Sequence, residues 1–181
     1  MRVSKKEIKD PDAITGLLSQ CHVGRLGTIG RDGYPIIKPL NFVYHAEKVY
    51  FHSAQEGEKM EHIRGDNRVC FEIDLPIAYV KSLSIPCKAD CLYRSVIVKG
   101  RAHIVGDKNE RLLVLKYLMT KYQPEGGYGG FPEDKLQLTA IVRIDIEEIT
   151  GKEDLGKDTE RETVLGHLKR NYLPAVTLER K

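Results

Sequence analysis

His52-Ser53-Ala54, followed by Gly57-Glu58-Lys59, gathers an imidazole, a hydroxyl and an ammonium group within a few residues of chain. Val49 to His52 has the composition of a strand, and Gly57 onward reads as the start of a helix. The first N–H groups of a helix have no partner inside it, so they point outward as donors. Together these groups make an anion pocket, and a phosphate carrying up to two negative charges matches it. A plainer alternative stays open, in which Ser53 caps the helix and Lys59 is solvated. Strict alternation sends His52 and Ser53 to opposite faces, so gripping one ligand with both requires a strand end that is no longer extended.

The preceding segment, Ile36 to Tyr44, reads as a strand interrupted at Pro39. Proline brings no N–H to a ladder, so Pro39 fits an edge, a bulge or a place where backbone faces a ligand. Ahead of it, Val23 to Gly30 is a strand, and Asp32-Gly33 is a hairpin signal. The next hairpin turns at His45-Ala46-Glu47. Asp10-Pro11 opens a packing helix whose apolar stripe is Ile14, Leu17, Leu18 and Cys21. A short helix through Met60 and Ile63 stops near Gly65, and Asn67 to Asp74 alternates as another strand.

Leu75 to Cys91 contains Pro76 and Pro86 and lacks clean periodicity, so it reads as a long excursion with an irregular strand near Tyr79 to Ile85. Leu92 to Val105 reads as the longest clean strand, with Val96, Val98, Gly100, Ala102 and Ile104 on one face. Asp107 and Glu110 form a capping box for a helix burying Leu112, Leu115, Met119 and Tyr122. Pro124 to Pro132 is glycine-rich, and reads either as a flap presenting Tyr128 or Phe131 or as a surface loop. Leu136 to Ile149 is the last strand, with Leu138, Ala140, Val142, Ile144 and Ile146 inward. Thr159 and Glu162 start a final helix before the tail.

Strands at hairpin spacing with a few helices between them predict a mainly β antiparallel barrel with peripheral helices. Residues 1–151 form the barrel domain with its packing helix, and 152–181 add a helix and an extension to it. No GxGxxG follows a strand, which argues against a dinucleotide-binding parallel sheet. The 29 basic and 26 acidic residues give a net charge of +3, too mild to suggest nucleic acid. No apolar run has the length of a membrane span, and MRVSKKEIKD has no signal-peptide character. Cys21, Cys70, Cys87 and Cys91 form no CxxC pair and read as reduced thiols. A cytoplasmic protein without nucleic-acid or membrane partners is the expectation. No metal-ligand spacing and no Ser-His-Asp or Cys-His triad emerges.

PLNFVY, then VYFHSAQEGEK, then YRSVIVKGRA, together resemble the FMN-binding split β-barrels related to pyridoxamine 5'-phosphate oxidase, most closely the nitroimidazole-reductase resistance proteins. The likeness runs from about Gly24 to Gly151. It implies a six-stranded antiparallel split β-barrel and a homodimer with flavin at the interface. By that resemblance Pro39, Leu40, Asn41 and Phe42 would lie along the flavin ring. His52, Ser53, Ala54 and Lys59 would surround the ribityl phosphate. Arg94, Ser95 and Val96 would approach the same cofactor, some of these residues acting across the two-fold axis.

His52 carries two expectations: a strand-end imidazole bonded to phosphate or backbone, or, by the resemblance, a proton donor facing the substrate side of the flavin. True pyridoxamine 5'-phosphate oxidases share an Arg-Leu-rich C-terminal segment with tryptophans nearby, whereas this chain has no tryptophan and ends in TLERK. The resemblance therefore implies an FMN-dependent reductase of a small electron-poor molecule, such as a nitro-aromatic. A non-catalytic flavin- or haem-binding protein is the alternative, and vitamin B6 oxidation is a more distant one.

Overall fold

The computed structural model describes residues 4–82, 85–156 and 161–162. After a 3-10 turn at Ser4–Lys6 come β1 (Glu7–Ile8), α1 (Pro11–Gln20), β2 (Val23–Ile29), β3 (Pro35–Asn41), β4 (Val43–His45) and β5 (Lys48–Ala54). The chain continues through α2 (Glu58–Gly65), β6 (Arg68–Val80), β7 (Asp90–Ile104), α3 (Lys108–Tyr122), α4 (Glu133–Leu138) and β8 (Thr139–Asp154). One antiparallel sheet runs in the order β3-β2-β6-β7-β8-β5-β4, with β1 added to β8. Six of these strands are long, and the two-residue β1 and three-residue β4 bring the total to eight.

The two ends of that strand order are consecutive in sequence. β3 and β4 are one extended segment broken at Phe42, so the chain itself joins the ends of the sheet and closes it into a barrel. The interruption expected at Pro39 is therefore at Phe42. Pro39 sits inside β3 opposite Arg25, on the outermost strand of the path, where a missing N–H costs no ladder bond. Phe42 is fully buried, and its ring packs edge-on to Phe71 at 4.8 Å between centroids.

The core fills the barrel from the alternating inner faces: Leu26, Val49, Phe51, Phe71, Ile73, Val96, Val98, Val142 and Ile144. Leu17 and Leu18 of α1 and Met60 and Ile63 of α2 close over it. Asp10 caps α1 by accepting the Asp12 N–H at 3.0 Å. Outside the barrel, α3 covers Tyr50 and Ile141 with Val114 and Leu118. The apolar periodicity of that helix is read one position off in sequence: Leu112 and Met119 are only half-buried. Asp107 accepts the Glu110 N–H at 2.7 Å, but the Glu110 carboxylate bonds Tyr50 and Arg143 instead of closing a capping box.

Three boundaries differ from expectation. β6 does not stop at Asp74 but runs to Val80, pairing up to Val80–Asp90, with a bulge between Pro76 and Ala78 that accommodates the proline. The excursion over Leu75 to Cys91 is thus the arm of a long hairpin. Leu136 to Leu138 is the end of α4, and Leu138 is exposed; the final strand begins at Thr139 and passes Gly151 to Asp154. Ile104, expected inward, is exposed at the end of β7. Of the last helix and tail, only Arg161 and Glu162 are among the described residues. No helix among them is long and apolar enough to cross a membrane.

Candidate functional site

β3 and β5 run near each other without pairing. β3 bonds only β2, along its whole length, and β5 bonds β8 throughout but β4 only over Lys48–Tyr50. From Phe51 to Ala54, β5 has a free edge, and so does β3. Two unpaired edges side by side present N–H and C=O groups that a planar polar ligand can bond. This is the split of the barrel.

α2 begins at the end of that split. Its N-cap is Gly57, at φ 113°, a conformation that side chains bearing Cβ rarely adopt. No side chain caps the helix, so Ser53 is not its cap: Ser53 stays in β5, opposite Ala140. The plainer reading of the serine therefore fails on geometry. Lys59 lies in the first turn with its ammonium 5.1 Å from the Phe51 ring centroid. Among the described residues it has no carboxylate within salt-bridge distance, whereas Lys38 beside it is paired with Glu58 at 2.7 Å. Burial, and then repulsion from Lys38, push the Lys59 pKa below that of an ordinary lysine.

His52 is next to this charge. Partial burial first and the Lys59 ammonium second lower its pKa, so the ring is neutral at pH 7. β5 stays extended through Ala54, and the alternation holds: Ser53 shares the barrel side with Phe51, while His52 and Ala54 lie on the other. A ligand resting against the free edge, rather than on one face, reaches both sides. Pro39 and Asn41 are exposed on β3 and Leu40 packs its side chain partly into the core. Pro39, Leu40 and Asn41 thus lie on one lip of the split and His52, Ser53 and Ala54 on the other, with Lys59 in the helix that follows.

Phe42 departs from its expected place along a ligand. Its side chain is core, and its N–H donates to the Tyr122 hydroxyl at 2.9 Å. Arg94, Ser95 and Val96 do not join the cleft within one chain. Arg94 stands opposite Glu153 and Ser53 opposite Ala140, at the two ends of the long strand β8. Arg94 pairs with Glu153 at 2.9 Å, and Val96 is buried in the core.

Lys38 escapes the sequence reading, in which Tyr122 is only a packing residue of its helix. Lys38 lies two residues before Leu40 and therefore on the same face of β3, a signal that alternation carries. Tyr122 carried none, since its hydroxyl serves backbone groups 80 residues away.

A family model described as pyridoxamine 5'-phosphate oxidase matches residues 10–153. No curated protein matches. Among solved structures, a candidate 5-nitroimidazole antibiotic resistance protein from Bacteroides thetaiotaomicron superimposes with TM-score 0.72 at 23% identity, covering 81% of this chain and 86% of that one. A flavocytochrome from Azotobacter vinelandii gives 0.78 at 17% identity over 100% and 86%. A FAD- and haem-binding protein from Mycobacterium smegmatis gives 0.75 at 16% over 87% and 80%. These likenesses establish the fold as the split barrel. With the family model covering most of its length, the chain belongs to the pyridoxamine 5'-phosphate oxidase family.

Proposed function

We propose that this protein is a cytoplasmic FMN-dependent oxidoreductase that reduces a small electron-poor molecule, nitro-aromatics among them, and that it works as a homodimer with flavin at the interface. The observation that carries the reading is Lys59: a half-buried ammonium in the first turn of α2, over the Phe51 ring of β5, crowded by a second lysine and without a carboxylate at salt-bridge distance among the described residues. Such a charge is stabilised by an anion from outside. The split fits the remainder of the cofactor, because the edges of β3 and β5 offer backbone donors and acceptors and Leu40 an apolar wall.

Flavin, when bound, supplies the hydride chemistry and electron storage at N5. The chain's own residues bind and orient. Lys59 and the uncapped first turn of α2 neutralise the phosphate. An anion beside Lys59 would offset the repulsion that the ammonium exerts on His52, the smaller of the two causes that lower its pKa. Arg94, paired with Glu153 within its own chain, is proposed to act from a second copy.

The test is a titration of flavin-free protein with FMN and riboflavin, then a search for reduction by NADPH or NADH and reoxidation by a nitro-aromatic acceptor. FMN binding with steady cycling supports the oxidoreductase. FMN bound but never cycling supports a flavin-holding protein without turnover. Sedimentation of the loaded protein as a monomer would remove the dimer from the proposal.

A further inference from the structure

Lys38 and Glu58 tie one lip of the split, β3, to the helix that follows the other. Lys38 Nζ lies 2.7 Å from Glu58 Oε2, which joins the edge strand β3 to the first residue of α2. Both side chains are about half exposed, at 45% and 51%. The Lys38 bond and charge hold the Glu58 carboxyl below the usual carboxylate range, while Lys38 also bears on Lys59. Lys38 thus bears on both Glu58 and Lys59, while Glu58 also stands near His62 and Asp32.

An exposed ion pair is a weak tether, held in high dielectric and screened by salt. A phosphomonoester arriving beside Lys59 offers Lys38 up to twice the charge of Glu58, together with more acceptor oxygens. Lys38 projects from the same strand face as Leu40, so the ligand's anion and its planar part would meet the same side of β3. We infer that Lys38 changes partners, held by Glu58 in the free protein and taken by the phosphate of the bound ligand. Glu58 is then a competitor built into the site, and the Lys38 it releases favours phosphate-bearing ligands over uncharged analogues of the same shape. This rests on the reading that the split takes FMN.

The experiment measures dissociation constants of FMN and riboflavin by flavin fluorescence for the wild type, Lys38→Met, Glu58→Gln, the double variant and Lys59→Ala, with circular dichroism confirming the fold of each. Lys38→Met should weaken FMN by about tenfold and leave riboflavin unchanged, the scale of one lost charge-assisted contact. Glu58→Gln should tighten FMN by about three- to tenfold, and this gain should shrink once Lys38 is absent. An unchanged FMN affinity in Lys38→Met overturns the exchange, as does a Glu58→Gln gain that persists undiminished in the double variant. If the wild type binds FMN and Lys59→Ala weakens it while both Lys38 and Glu58 variants behave as wild type, the exchange alone fails. A wild type that binds neither flavin removes the cofactor reading and this inference with it.

Discussion

The Tyr122 hydroxyl accepts the backbone N–H of Phe42 at 2.9 Å and lies 2.9 Å from the Phe42 carbonyl oxygen and 2.6 Å from that of His22. One of those two carbonyls takes its proton. A side chain at the end of α3 thus satisfies the backbone at the one residue where β3 breaks into β4. Burial raises the Tyr122 pKa to about 12, so the phenol stays protonated as this bridge requires.

Replacing Tyr122 with Phe leaves a buried backbone donor without a partner. The cost should be about 1–3 kcal/mol of unfolding free energy, read as a lower urea midpoint. An unchanged midpoint would mean that water replaces the hydroxyl and that the break does not depend on Tyr122.

Beside it, the Lys121 ammonium donates to the Leu18 carbonyl at 3.2 Å and sits 3.9 Å from the Phe42 ring centroid. Burial lowers its pKa from 10.5 to about 8. Between those values the unfolded chain holds a proton at this lysine that the folded chain has released, so folding becomes more favourable as pH rises across the window. Tyr122 acts oppositely from its ordinary 10 up to about 12, where the unfolded phenol ionises first. Unfolding titrations from pH 7.5 to 10 should show a positive pH dependence that Lys121→Met flattens. An identical slope in the two proteins would contradict the assignment.

Gly100 marks the bulge between β7 and β8, and a Cβ there would stand 2.2 Å from the Asp145 carbonyl oxygen. That oxygen belongs to the backbone of the neighbouring strand and cannot rotate away. Gly100→Ala should therefore cost about 1–3 kcal/mol, with melting temperature as the readout. Full stability in this variant would mean that the bulge shifts freely.

Lys59→Ala should weaken FMN by about 1–3 kcal/mol through loss of a charge-assisted contact, with riboflavin far less affected. Equal losses for both flavins would place the lysine away from the phosphate. His52→Ala should lower turnover more than FMN affinity if the imidazole delivers a proton. Matched losses would limit it to holding the cofactor.

Much of this fold is legible because local chemistry and final structure agree. Asp10-Pro11, Asp32-Gly33 and the alternation of Val96, Val98, Gly100 and Ala102 each specify their element directly. Ser53 and Lys59 could be picked out from their types and spacing, Ser53 at the end of β5 and Lys59 in the first turn of α2. The extension of β6 past Asp74 was hidden by Pro76, because the bulge after it breaks the very alternation that identifies a strand. The Lys38–Glu58 tie and the Tyr122 bridge arise only when the barrel closes, joining elements distant in sequence by charges and hydroxyls that carry no periodic signature. Arg94 shows the remaining limit: its neighbours on the strand are readable, but its distance from Ser53 is a property of the topology.

The most direct test of the account is the visible spectrum of the protein as purified, followed by heat release and mass analysis of any chromophore. Binding in the split predicts a flavin spectrum, or its appearance on adding FMN, with about one FMN released per chain. A colourless protein that refuses added FMN would contradict the account and leave Lys59 as a lysine without a ligand.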